Sequence, residues 1–387
     1  MKILLLLDTD QIAGTEHHLL TLAREMVALG EEVFLACRAG GRLSQLATGS
    51  NIEVVPMDPS NRLRANVSCL RRFMRTTKID LVHAHNGRTM RLARLVKIWT
   101  GIPIVATQHF IDPHHASFPG PLGWLLQTAH AWLSRGFDRW IAVSEGARAA
   151  MLRRKAASAN RISIVHNGVE ARSLDPRTSP VVIRQELGIS SDTAFILYVG
   201  RLEVEKDVES LIVAISQLGP DGRPFACVIA GDGALRTKLE TMIRHLKVES
   251  KVRLMGFRKD TAALMHAADL LVLPSPCEPF GLVLIEAMSA RLPVVAIRAG
   301  GPLDIVVDRS TGILVTPGSP SEMAVAITEM LSNPTDASAM GERGYQRYLS
   351  HFTARTMATR TLDVYREAIS GHASLRAEEP LSACASS

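Results

Sequence analysis

The sequence predicts an α/β protein of two Rossmann-like, doubly wound parallel-sheet domains in series, facing each other across a cleft. Three observations predict it. Short apolar runs alternate with stretches of helical periodicity along almost the whole chain, the pattern of βαβ units. The alternation halts at a Pro-, Ser- and Thr-rich stretch from Pro176 to Pro180 and then restarts, as at a linker. Glycines follow several of the apolar runs, where a strand would hand over to a helix. The 387 residues suffice for two cores, taking roughly 100–200 residues per domain.

In the first half, candidate strands are Lys2–Leu7, Glu32–Cys37, Ile52–Pro56, Leu81–His83, Ile104–Thr107, Arg139–Val143 and Ile162–Val165. Helical spacing fits Thr15–Leu29, Ala65–Thr76, Arg88–Trp99 and Pro121–Arg135. In the second half, strands are expected at Ala194–Val199, Phe225–Ala230, Val252–Met255, Leu270–Pro274, Val294–Ala296 and Ile313–Val315. Helices are expected at Val208–Leu218, Ala234–Leu246, Thr261–Ala267, Leu282–Ser289 and Pro320–Leu331. The expected domains are 1–170 and 171–351, followed by a helix at 354–369 and a disordered polar tail at 371–387. In doubly wound sheets ligands bind at the carboxyl ends of the strands, so the loops there are the ones to read.

Composition narrows the function. Hydrophobic content of 47% with 21% charge is that of an ordinary globular protein. The five cysteines show no paired spacing, which suggests neither a disulfide framework nor a zinc site. The apolar run Ile3–Leu7 is too short for a signal-peptide core or a membrane span, so a cytoplasmic location is expected. Charge is uneven: residues 1–180 carry 23 Lys and Arg against 14 Asp and Glu, whereas the rest is slightly acidic. A basic half attracts an anionic partner.

The richest segment is LVLPSPCEPFGLVLIEAM, Leu271 to Met288. A buried strand ends near Pro274, and a helix opens near Gly281, where bare backbone N–H groups can meet a phosphate. Glu278 precedes that helix. Glu286 lies inside it among apolar neighbours, so it reads as a buried carboxylate in need of a partner: a sugar or ribose hydroxyl, or else a core arginine. The second segment is YVGRLEVEKD, Tyr198 to Asp207. Here Gly200 turns the chain and Arg201 and Lys206 stand at the sheet edge, suited to a diphosphate leaving group. A solvated loop paired with Glu203 and Glu205 is the other reading. Gly231-Asp232-Gly233 follows a strand but has Arg236 where a dinucleotide fingerprint needs its third glycine, which argues against NAD. Gly300-Gly301 permits close ligand approach or makes a plain turn. Gly14 precedes the first helix.

Weaker strings are set aside. Asp8-Thr9-Asp10 spells a metal-binding pattern but follows the first strand of a Rossmann-like unit. His83 and His85 share a strand face with no third ligand in sight, and His17-His18 and His114-His115 are equally unsupported as metal sites.

Together these segments resemble the family-4 retaining glycosyltransferases of the GT-B fold. The resemblance covers most of the chain and is strongest from Ala142-Val143-Ser144-Glu145, through Asn167-Gly168-Val169-Glu170, to about Leu331. Glu278 and Glu286 reproduce the family's E-x7-E spacing, and Gly200-Arg201-Leu202 with Glu205-Lys206 is similar to its phosphate-binding segment. Leu81–His85 and Thr107-Gln108-His109 resemble its acceptor-side segments. The resemblance implies that Arg201 and Lys206 neutralise the donor pyrophosphate. It implies that Glu278 binds sugar hydroxyls, Glu286 the ribose, and backbone near Phe280, Gly281 and Leu282 the phosphate. Gly200, Gly231 and Asp232 would border the donor, Gly14 would lie against donor phosphate or acceptor, and His109 would sit over the reactive face of the sugar. The last helix would return to the first domain. Three positions depart from the family pattern: Ala13 where a second glycine is common, Asp207 where glycine follows the lysine, and Asp304 where glutamate is usual.

The expected reaction is transfer with retention, by same-face attack assisted by the leaving phosphate, from a UDP-, GDP- or ADP-sugar, with no cofactor or metal. The acceptor would be a glycan or a lipid-linked molecule of cell-envelope polysaccharide synthesis. Arg71, Arg75 and Lys78 share one helical face, and Arg88, Arg91 and Arg94 another. With the apolar stretch Phe118–Trp132 these could dock on an anionic membrane surface. A helix packed in the core beside solvated arginines is the plainer alternative. Two other classes remain: a sugar-nucleotide epimerase or hydrolase of the same architecture, and a non-enzymatic binder of anionic polymers. No nucleic-acid partner is expected, since no recognised module accompanies the arginines and aromatics make up 5% of the chain.

Overall fold

The computed structural model describes residues 1–9, 14–50, 52–58, 63–109, 136–171, 179–219 and 223–378, with backbone alone over 373–378. The segment Phe118–Trp132, His114-His115, Asp10, Ala13 and the tail after Glu378 lie outside these residues. The chain divides into two compact units, Met1–Asn167 together with the helix that begins at Ala354, and Gly168–Thr353.

The first unit runs β1 (Lys2–Leu6), α1 (Gly14–Ala28), β2 (Glu32–Arg38), α2 (Arg42–Thr48), β3 (Glu53–Met57), α3 (Leu63–Thr77), β4 (Leu81–Ala84), α4 (Gly87–Thr100), β5 (Ile104–Gln108), β6 (Arg139–Ala142), α5 (Glu145–Arg153) and β7 (Ile162–Ile164). Its strands are all parallel, in the order β3-β2-β1-β4-β5-β6-β7. The central strands are near-continuous apolar runs because both faces are covered; every residue of β4 and β5 is buried.

The second unit runs α6 (Pro180–Glu186), β8 (Ala194–Val199), α7 (Val208–Ser216), β9 (Phe225–Ala230), α8 (Arg236–His245), β10 (Val252–Gly256), α9 (Thr261–Ala267), β11 (Leu270–Leu273), α10 (Leu282–Ser289), β12 (Val294–Ile297), α11 (Pro302–Ile305), β13 (Ile313–Val315), α12 (Pro320–Ser332) and α13 (Pro334–His351). Its sheet is parallel in the order β10-β9-β8-β11-β12-β13. The last helix, α14 (Ala354–Glu378), belongs to the first unit. There Met357, Leu362 and Tyr365 join the core built by α1 and β1.

In each sheet the strand order reverses beside the first strand: between β1 and β4, and between β8 and β11. Helices leave the sheet on opposite faces on the two sides of such a point. The carboxyl-end loops there diverge and leave room for a ligand.

One expectation needs correction, and one helix was not anticipated. Helix α14 continues to Glu378, so the polar segment from residue 371 begins as helix rather than as disordered tail. The polar sequence after Leu331, punctuated by Pro334, Gly341 and Gly344, is the helix α13. Its glycines are there for packing: a Cβ on Gly341 would come within 2.1 Å of the Arg291 carbonyl oxygen, and one on Gly344 within 3.3 Å of Met288.

Candidate functional site

In the second unit the loops after β8 and β11 meet at the strand-order reversal. Lys206 comes from the first loop and Glu278 from the second, and Nζ of Lys206 donates to Oε2 of Glu278 at 2.6 Å. Both side chains are largely covered, 19% and 13% exposed, which makes this pair sensitive to loss of either member. The Ser275 hydroxyl donates to the Glu205 carbonyl at 3.0 Å and ties the two loops together. Arg201 lies in the same loop but is exposed, and it donates to Glu205 at 2.7 Å. The sequence-derived pair of cations is thus one held ammonium and one solvated guanidinium.

The glycines of this edge are explained by backbone crowding. A Cβ on Gly231 would lie 1.8 Å from the Gly200 carbonyl oxygen, so the turns after β8 and β9 press directly on one another. Gly200 leaves room for the Tyr198 phenol, whose oxygen a Cβ there would approach to 2.6 Å; that hydroxyl donates to the Arg201 carbonyl at 3.0 Å and fixes the turn. Burial pushes the Tyr198 phenol pKa up, so it stays a donor. Asp232 is turned outward, with Oδ1 accepting from the N–H of Gly233 at 2.9 Å. Gly301, read from sequence as room for a ligand or a plain turn, instead receives the backbone of Phe280: its Cβ would be 2.2 Å from the Phe280 Cα. Its N–H donates to the Glu278 carbonyl at 2.9 Å.

Helix α10 opens at Gly281, which sits at φ 107°, and no side chain caps that end. Leu282 is the first helical residue. Phe280 turns its ring into the interior against Phe352, so it offers the site backbone rather than an aromatic face. Glu286 corrects the expectation of a carboxylate in an all-buried helix. Leu284, Ile285, Ala287 and Met288 form the buried face of α10, and Glu286 stands on the other, half-buried. Sequence alone missed this because Leu282 and Val283, half-buried like Glu286, are as apolar as the residues of the buried face. Asp207 occupies a left-handed position, φ 48°, which explains why glycine suits it. The aspartate offsets that strain by accepting from the hydroxyl of Ser210 at 2.7 Å at the start of α7.

The first unit places different chemistry at its own reversal point. Gly14 is the exposed first residue of α1. His83 lies in β4, His85 directly follows it, and His109 follows β5. His83 is fully engaged: Nδ1 meets the Tyr365 hydroxyl at 2.6 Å and Nε2 the Thr107 hydroxyl at 2.7 Å. His85 Nδ1 faces His109 Nε2 at 3.1 Å. His18, from α1, completes the group, its ring centroid 4.8 Å from that of His109. The sequence showed no third ligand beside His83 and His85; the structure brings His18 and His109 to His85, while His83 is engaged elsewhere. One ring nitrogen each of His18, His85 and His109 lie within 4.8 Å of one another. Neighbouring helix and strand ends bring together what the sequence separates. Burial lowers the pKa of all four imidazoles, that of His18 to about 4, so they are neutral near pH 7. Asp8, from the set-aside acidic string, lies 3.7 Å from Arg88.

The family profile described as Glycosyltransferase Family 4 matches residues 12–172, and that described as Glycosyl transferases group 1 matches residues 182–347. Glycogen synthase of Mycobacterium tuberculosis is 31% identical over 306 residues, spanning 77% of this chain and 71% of that one. This chain is a glycosyltransferase of the group 1 and family 4 type. D-inositol 3-phosphate glycosyltransferase 2 of Catenulispora acidiphila is 28% identical to the enzyme, over 96% of this chain and 94% of its own. HepE of Anabaena, crystallised with UDP-glucose, shares the fold with TM-score 0.81 at 24% identity, over 95% of this chain and 99% of its own. The fold of the enzyme is therefore GT-B. Among the described residues no helix is long and apolar enough to cross a membrane.

Proposed function

We propose that the enzyme transfers a hexose or related sugar, with retention of anomeric configuration, from a nucleotide-diphosphate sugar to a glycan or lipid-linked acceptor. The observation that carries this reading is the Lys206–Glu278 pair beside the uncapped start of α10, with Arg201 in the adjoining loop. The leaving nucleoside diphosphate gains negative charge as the sugar departs. A fixed ammonium, a guanidinium free to swing from Glu205, and the N–H groups opening α10 supply positive potential where it develops. Glu278 then has two tasks, holding Lys206 and accepting from sugar hydroxyls, while Glu286, half-buried on the open face of α10, accepts from the ribose. HepE's UDP-glucose supports a nucleotide-sugar donor. Phe257, 73% exposed after β10, and Arg258, clamped by Glu186 and Asp260 at 2.6 Å each, border the region that would select the base. Incubation with UDP-, GDP- and ADP-sugars and NMR of the product tests the reading. One donor class giving an α-product from an α-donor supports it; an inverted product, or free sugar regardless of acceptor, overturns it.

The acceptor side of the proposal rests on α3 and α4. Arg64, Arg71, Arg72, Arg75 and Lys78 are exposed, and beside them Trp99 and Ile98 are 64% and 55% exposed. The Arg71 guanidinium lies 4.8 Å over the Trp99 ring. Arg94 does not join them: it is half-buried, packed against Gly136. A basic surface with an exposed indole suits an anionic membrane and a lipid-linked acceptor delivered from it, as cell-envelope polysaccharide synthesis requires. Cosedimentation with phosphatidylglycerol vesicles at low salt, reduced in the Arg71→Ala/Arg75→Ala variant, supports docking; no cosedimentation overturns it.

A further inference from the structure

Helix α13 packs on α10 through Gly344, which meets Met288. From the same helix the half-buried Arg347 reaches α11. Its Nε donates to the Ile305 carbonyl and its Nη2 to the Asp304 carbonyl, each at 2.7 Å. These carbonyls close the end of α11, where no following turn supplies N–H partners. Burial lowers the Arg347 pKa and the charge of Asp304 opposes that shift; a guanidinium stays charged in either case. Hydrogen bonds from a charged donor are roughly twice as strong as neutral ones, so the end of α11 is held firmly.

Two routes lead from Arg347 to the loop that carries Glu278. Along the first, the Asp304 N–H donates to the Gly301 carbonyl at 2.9 Å, and the Gly301 N–H donates to the Glu278 carbonyl at 2.9 Å. Gly301 also presses on the backbone of Phe280. Along the second, the Arg347 guanidinium lies 5.5 Å from the centre of the Phe352 ring, and that ring meets the Phe280 ring edge-on at 6.1 Å. Phe352 is fully buried and its carbonyl accepts from the Val169 N–H at 3.0 Å, so it does not yield. The routes end on Glu278 and Phe280, either side of Pro279. Together they fix the backbone from which the Glu278 carboxylate meets Lys206. Arg343, one turn earlier on α13, donates instead to the Ser310 carbonyl at 2.7 Å and holds a different stretch of chain.

We propose that Arg347 is a positioning residue for transfer, setting the place of Glu278 opposite the donor sugar through α11 and Phe352. It acts through the loop rather than on the sugar, and the inference rests on the reading of Glu278 as an acceptor from sugar hydroxyls. Without the guanidinium, the backbone from Glu278 to Gly281 loses both supports while the sheet and helices of the unit remain. Misplacement by about 1 Å from a change remote from the chemistry can cost on the order of 10²-fold in rate.

A double-mutant cycle in the full-length chain tests this, read as kcat/KM for the preferred donor. Arg347→Met is expected to lower kcat/KM by about 10–100-fold in the parent. In a Glu278→Gln background it should cost less than about threefold, because the group it positions is already disabled. An arginine that only stabilises the fold would cost the same factor in both backgrounds. Arg343→Met should turn over as the parent does. If Glu278→Gln is too slow to assay, the same cycle is read as the dissociation constant of the sugar nucleotide. Circular dichroism confirms that each variant is folded; should Arg347→Met not fold, Arg347→Lys, which keeps the charge but not the two-pronged donor geometry, takes its place. Parental activity in a folded Arg347 variant, equal losses in both backgrounds, or an equal loss in Arg343→Met overturns the inference and leaves the role of Glu278 intact. Parental activity in Glu278→Gln overturns that role, and the inference with it.

Discussion

The two parallel sheets reverse their strand order at equivalent places, yet the groups gathered there differ in kind. In the second unit the reversal carries opposite charges held together, Lys206 with Glu278 and Arg201 with Glu205. In the first it carries four imidazoles whose burial keeps them neutral. One topology supplies the same geometric opportunity twice, and side-chain chemistry divides the labour. A charged edge suits a diphosphate, whereas an uncharged polar edge suits hydroxyl groups. The difference also has a physical price: a paired charge needs its partner, and a buried neutral imidazole needs its proton kept away.

The largest effect is expected where a partner is removed. Lys206→Ala should lower kcat by about 10²–10³, the loss of roughly 2.7–4 kcal/mol that one well-placed donor to a developing oxyanion contributes. It also leaves Glu278 partly buried without its ammonium. Steady-state kinetics with the preferred donor check this, and an unchanged kcat would break the assignment of the charged edge. The imidazole edge makes the opposite demand and should show itself in pH. An unfolded histidine titrates near 6.5, and the fold lowers His18 to about 4. The unfolded chain therefore binds the proton more readily, so this stability is present above pH 6.5 and is lost as pH falls towards 4. A shift of that size corresponds to about 3 kcal/mol. Urea melts between pH 7 and pH 4 should show it, with a smaller slope in His18→Gln.

The contrast was only half legible in the sequence. Charged residues at a loop, a glycine at a helix start and an apolar strand before it sit close together along the chain, so Arg201, Lys206, Glu278 and Gly281 could be singled out by local pattern. The imidazole group could not. His18, His85 and His109 converge only because α1, β4 and β5 meet at the reversal of the sheet, and each string alone looked like an incomplete site. The signal that could have found them was topological: three histidines near the carboxyl ends of neighbouring strands. Helix α13 was missed for a related reason. Gly341 and Gly344 lower helix propensity locally, while their purpose, contact with Arg291 and Met288, is long-range. Glu286 was misjudged because the half-buried Leu282 and Val283 make the whole helix read as buried.

A smaller effect tests whether the charged edge depends on its backbone. Gly231→Ala forces a Cβ to within 1.8 Å of the Gly200 carbonyl oxygen, so the turn carrying Arg201 must shift. Overpacking of this kind destabilises by about 1–3 kcal/mol. Thermal unfolding should record the loss, and donor affinity should fall with it. A variant as stable as the parent would show that the two turns are less tightly coupled than their contact implies.

The smallest effect on stability sharpens the comparison furthest. Arg201 and Glu205 are 62% and 49% exposed, one helical turn apart, and an exposed pair of this spacing contributes about 0.3–0.5 kcal/mol. Arg201→Ala should therefore melt within a degree or two of the parent, while its kcat falls by an amount approaching that of Lys206→Ala. The two variants then separate the functions of the two cations. On the proposed reading Lys206 both holds the loops through Glu278 and meets the phosphate, whereas Arg201, solvated beside Glu205, is drawn in by the diphosphate. If Arg201→Ala retained full turnover, the guanidinium would be only a surface partner of Glu205, and the charged edge would act through Lys206 and the start of α10.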